Sequence, residues 1–79
     1  MKFTKITKRQ ARKLFADNSP IYVIAHKMRP GGPFHMGMTI FPQRYHEESR
    51  TFDQMINDFT YYNCSHETGY YPAYYQENN

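Results

Sequence analysis

The chain has 79 residues, of which 39% are hydrophobic and 18% aromatic, with a formal charge of +3 and a mean hydropathy of −0.90. A domain of this size buries only about 60% of the surface its unfolded chain exposes, so Tyr and Phe rings, at about 150–250 Å² each, have to supply much of the core. No apolar run reaches the roughly 18 residues of a membrane span, the N-terminus lacks a signal-peptide stretch, and the lone Cys64 excludes an intramolecular disulfide. Together these features read as a soluble, cytoplasmic single domain.

Thr7-Lys8-Arg9-Gln10 has the form of a capping box. Ala11, Leu14 and Phe15 follow at helical spacing and Asp17-Asn18-Ser19-Pro20 supplies a stop, which predicts a helix over 8–16. Ile21-Tyr22-Val23-Ile24-Ala25 is β-branched and aromatic with apolar residues on both faces, as in a well-covered strand. Two prolines and two glycines between Met28 and His35 predict a loop. Met36, Met38 and Ile40 then alternate with Gly37, Thr39 and Phe41 as a second strand, ended by Pro42.

Residues 43–49 are polar and read as a connection. Thr51-Phe52-Asp53-Gln54 repeats the capping box, and Phe52, Met55, Ile56, Phe59 and Tyr62 form an amphipathic stripe that predicts a second helix fraying near Asn63-Cys64. Glu67-Thr68-Gly69 reads as a turn. Tyr70 to Tyr75 is a third strand, which Pro72 assigns to a sheet edge because proline cannot donate to a ladder. Residues 76–79 read as a loose tail. The expected fold is a small α+β domain of order α-β-β-α-β, with a three-stranded antiparallel sheet of order 2-1-3 and both helices on one face.

Charge is divided along the chain. Residues 1–44 hold nine of the ten Lys/Arg against Asp17 alone, and residues 45–79 hold Arg50 against six carboxylates, so halves of +8 and −5 make up the net +3. Such polarity bears on partners rather than on fold. Lys5, Lys8, Arg9 and Arg12, with Arg29 from the glycine-rich loop, are candidates for phosphate contact; a solvated helix face is the plain alternative. On a strand, Tyr70 and Tyr74 share one face and Tyr71 and Tyr75 the other, so one pair can pack inward while the other remains as a platform.

Other chemistry finds little support. The 28–35 loop lacks the spacing that lets amides cradle phosphates, and His26, His35, His46, His66 and Cys64 form no pair with metal-ligand spacing. No cofactor or metal is expected. Catalysis would have to centre on Cys64, His66 and Glu67, sequence neighbours whose geometry rarely suits a nucleophile and its base.

Lys13-Leu14-Phe15, Lys27-Met28-Arg29-Pro30-Gly31, Tyr61-Tyr62-Asn63-Cys64 and Glu67-Thr68-Gly69 ahead of a final aromatic strand give the chain its resemblance to known proteins. It resembles a group of small accessory proteins of phages and mobile elements of Gram-positive bacteria. The resemblance implies a dispensable accessory protein, a class often devoted to disabling host defences, and carries over no site residues.

The leading expectation is therefore a non-enzymatic protein that binds, and inhibits, a host defence or regulatory protein through Asp53, Asp58, Tyr61, Tyr71 and Tyr75, with tyrosines as anchors. The alternative is a nucleic-acid or nucleotide binder that sets Lys5, Lys8, Arg9, Arg12 and Arg29 on phosphates and tyrosines on bases. A homodimer paired through the edge of the Tyr70 to Tyr75 strand, or through the basic half of one copy against the acidic half of another, is a further expectation.

Overall fold

The computed structural model describes residues 2–27, 34–64 and 69–78, which form β1 (Lys2–Ile6), α1 (Lys8–Ala16), β2 (Ile21–Lys27), β3 (Phe34–Ile40), α2 (Pro42–Glu47), α3 (Phe52–Asn63) and β4 (Tyr70–Asn78). Both capping boxes are made. Thr7 Oγ1 accepts from the Gln10 amide at 3.1 Å while Gln10 Oε1 accepts from the Thr7 amide at 2.8 Å, and Thr51 and Gln54 repeat the exchange at 3.2 and 2.8 Å.

The helix ends are equally local in origin. Asn18 takes a left-handed φ of 60°, and the amides of Asn18 and Ser19 return to the carbonyls of Phe15 and Leu14 at 3.1 and 2.8 Å, a Schellman closure of α1. Ser49, at φ 57°, closes α2 in the same way, with Ser49 and Arg50 donating to His46 and Tyr45. Residues 43–49, expected to be a polar connection, thus hold most of a short helix, with Pro42 at its first turn, where a missing amide is harmless.

The sheet has four strands in the order β1-β4-β2-β3, every neighbouring pair antiparallel. The expected order 2-1-3 corresponds to β3-β2-β4 and is present within it. Two points of the expected fold are corrected: a strand, β1, precedes the first helix, and the described residues form three helices instead of two. β1 pairs with β4, so the Tyr70 to Tyr75 strand is interior and offers no full edge for dimerisation. Pro72 is accommodated because β1 reaches only from Asn78 back to Tyr74, leaving the far side of β4 open at residue 72. Residues 76–78, expected in a loose tail, pair with Thr4, Phe3 and Lys2.

One core cluster joins the two layers. Ile21, Val23 and Ala25 of β2, Ile40 of β3 and Tyr74 of β4 pack against Ala11 and Phe15 of α1 and Phe52, Met55, Ile56 and Phe59 of α3. α2 is tied on by an imidazole N–H of His46 that donates to the Phe15 carbonyl at 2.8 Å, and by an edge contact between Phe15 and Tyr45. Tyr62, the last position of the predicted stripe, is 78% exposed.

Tyr74 is 5% exposed, and its hydroxyl finds no hydrogen-bond partner among the described residues. Burial, reinforced by Cys64 and opposed by Arg12, pushes the phenol up to about 12. The folded state then holds this proton more tightly than the unfolded chain, whose tyrosines titrate near about pH 10. Stability is accordingly unaffected by Tyr74 below about pH 10 and falls as pH rises from there toward 12. Tyr74→Phe removes a buried, unpaired hydroxyl whose desolvation costs about 1–3 kcal/mol. It is expected to raise the urea midpoint and flatten the alkaline decline; a lower midpoint at pH 7 would show that the hydroxyl has a partner after all.

Candidate functional site

Strand alternation sends one set of side chains to the helices and the other to a face that, among the described residues, no helix covers. Register places Phe3 and Lys5 of β1, Tyr71, Ala73, Tyr75 and Glu77 of β4, Tyr22, Ile24 and His26 of β2, and Gly37 and Thr39 of β3 on that second face. Its centre is buried: Ile24 is 7% and Ala73 4% exposed, although neither belongs to the helix-facing cluster. Tyr22 stands opposite Tyr75, and His26 lies opposite Tyr71 with ring centres 5.9 Å apart.

Phe3 stacks on Tyr22 at 4.7 Å and 29°, although β4 separates their strands, and remains 45% exposed. Gly37 makes room for this arrangement. A Cβ at position 37 would lie 2.5 Å from Tyr22 Oη and 2.7 Å from Ile24 Cγ2, so the tyrosine rests over a strand position that has no side chain. The outcome is a shelf of four aromatic rings and an imidazole. Among the described residues, register adds only two charges to it, Lys5 and Glu77, of opposite sign.

The five residues expected to bind a partner do not share one surface. Asp53 lies on α3 and accepts from Arg12 at 3.1 Å, while Arg12 also rests over the Phe52 ring. Asp58 is ion-paired with Arg50, which caps the Tyr45 ring. Tyr71 and Tyr75 occupy the opposite, helix-free face. Tyr61 is 81% exposed near the end of α3 in an edge contact with Tyr62, and meets Tyr71 only at an open cleft of about 520 Å³ lined also by Asn57, Thr60 and Pro72.

The basic set is divided too. Lys5 sits on the helix-free face, Arg12 turns toward α3, and Lys8 and Arg9 are exposed in the first turn of α1. Arg29 lies outside the described residues, as do His66 and Glu67. Burial pushes the Cys64 thiol up, the direction opposite to that of an activated nucleophile. Among the described residues no cluster of His, Cys, Asp and Glu could hold a metal ion, and no helix is long and apolar enough to cross a membrane.

Sequence reasoning left three members of the shelf, Phe3, Tyr22 and His26, out of the candidate site. Tyr22 was legible as a strand residue, but its role depends on β4 lying beside β2. Phe3 needed β1, whose Lys-Phe-Thr-Lys-Ile pattern has no apolar alternation to announce it. No protein-family model, curated protein or solved structure matches the chain.

Gly37→Ala tests the shelf without touching an aromatic residue. The methyl group has to displace Tyr22 or Ile24, at a cost of about 1–3 kcal/mol, and with Tyr22 goes the Phe3 stack. Chemical denaturation is expected to show that loss, and the ring-current shifts of the Phe3 protons to collapse; unchanged shifts would mean that Tyr22 does not depend on the glycine.

Proposed function

We propose that this chain is a non-enzymatic binding protein whose working surface is the helix-free face and whose partner is another protein. The observation that carries the reading is the shelf itself: Phe3, Tyr22, Tyr71 and Tyr75 gathered on one sheet face with, among the described residues, only Lys5 and Glu77 as charges. Stiff aromatic rings around a buried centre are what anchors a protein interface, since they bring large contact area at little cost in side-chain entropy. The resemblance to accessory proteins of mobile elements supports a host defence or regulatory protein as the target, disabled by being bound.

Base stacking is the second reading, favoured by rings on one face of a four-stranded sheet. Among the described residues, phosphates laid along those rings would find one lysine and one carboxylate on this face, while Arg9 and Arg12 stand on the helical layer and Arg12 is already engaged by Asp53. The charge distribution therefore favours a protein partner.

The reading is tested by capturing partners on the immobilised chain, purifying the protein recovered and titrating it against variants. Tyr75→Ala and Tyr22→Ala are each expected to weaken binding at least about tenfold, the scale of an interface anchor, while Lys13→Ala leaves it unchanged. A fluorescent single-stranded oligonucleotide that binds tightly at low salt and is released steeply by added salt would replace this reading with the nucleic-acid one.

A further inference from the structure

The sheet has two outer strands, and only one is guarded. β1 is five residues long and carries Lys2 and Lys5, the kind of charge that blunts an edge. β3 is seven residues long, Phe-His-Met-Gly-Met-Thr-Ile, without Lys, Arg, Asp, Glu or Pro, and among the described residues no strand pairs with its far side. Its irregularity, between Ala25 and His26, lies in the ladder with β2 and near the start of the strand, leaving residues 36–40 in regular register. The amides and carbonyls along that far side are the groups a further strand would satisfy.

Apolar surface continues from this edge. Met38 is 41% and Phe41 63% exposed, and Met38, Ile40, Met55, Phe59 and Tyr62 line a shallow groove of about 170 Å³ between β3 and α3. Asp58, at the same groove, is neutralised by Arg50.

We infer that β3 pairs antiparallel with the β3 of a second copy of this chain, across a two-fold axis, to make one continuous eight-stranded sheet. Charge selects this occupant. At a two-fold axis a strand meets its own residues, so any charge on it would face its like, and β3 carries no formal charge where β1 carries two lysines. The antiparallel sense suits the sheet, in which every pair is already antiparallel. Met38, Phe41 and Tyr62 of each copy then meet the other copy's apolar rim. This pairing uses an edge, not the aromatic shelf, so it stands or falls apart from the proposed function.

Sedimentation velocity on the full chain over a range of concentrations is expected to show a reversible species of twice the 9.5 kDa protomer mass. Thr39→Lys combined with Phe41→Lys, both at exposed positions, is expected to weaken that dimer at least about tenfold by setting like charges against each other. Tyr75→Ala, on the shelf, leaves it intact. Circular dichroism melts of each variant establish that the monomer is still folded, and amide exchange in β3 of the wild type is expected to slow as concentration rises. A chain that is monomeric throughout overturns the proposal and leaves an extended segment of another protein as the edge's occupant. A dimer that survives the double variant, or that Tyr75→Ala dissolves, overturns it as well.

Discussion

Each surface of the molecule is defined by the ladder of six residue pairs between β2 and β4, Tyr22 to Lys27 against Tyr75 to Tyr70. On its helix side the ladder presents Val23, Ala25 and Tyr74 to α1 and α3; on its other side it presents Tyr22, Ile24, Ala73 and Tyr75. A slip of one residue would exchange the two sets, bringing the shelf's tyrosines under the helices and turning the core out to water. The close fit of the core, with Val23 1% and Ala25 0% exposed, makes that slip costly. Packing on one face thus fixes the ring pattern on the other.

The division of charge along the sequence is partly undone in three dimensions. Arg12 from the basic half meets Asp53 from the acidic half across the α1–α3 seam, and Arg50, the one cation of the acidic half, holds both Glu48 and Asp58. Exposed pairs of this kind contribute about 0–1 kcal/mol each. Their larger effect is on recognition: the carboxylates of α3 are occupied, while among the described residues the shelf carries one lysine and one carboxylate beside four aromatic rings.

Much of the fold was legible because its signals are local. The two Thr-x-x-Gln capping boxes give the starts of α1 and α3 to the residue, and the Phe52-Met55-Ile56-Phe59 stripe identifies the buried side of α3. The alternation of Tyr70 and Tyr74 with Tyr71 and Tyr75 correctly separates an inward from an outward pair. What stayed hidden depends on contacts distant in sequence. β1 is recognisable as a strand only through its pairing with residues about seventy positions away. Pro72 pointed to an edge, and the edge exists for just the half of β4 that β1 does not reach. The five residues expected to bind a partner were grouped without knowledge of strand order, and it is the register of β4 that turns Tyr71 and Tyr75 away from the layer that carries Asp53 and Asp58.

The central place of β4, the last of the described elements, also sets the order in which the protein can form. Its ladder partners β1 and β2 belong to the first 27 residues, so the two pairings close spans of roughly 45 to 75 residues. The entropy of closing such spans has to be met before the contacts repay it, which slows folding relative to chains dominated by local pairing. On the ribosome, the helices and the β2–β3 hairpin can form early, but the sheet waits for β4 to emerge. Until then β2 lacks this ladder partner and Tyr22 and Ile24 stay open to water, so the nascent chain is prone to aggregation for as long as β4 is unmade.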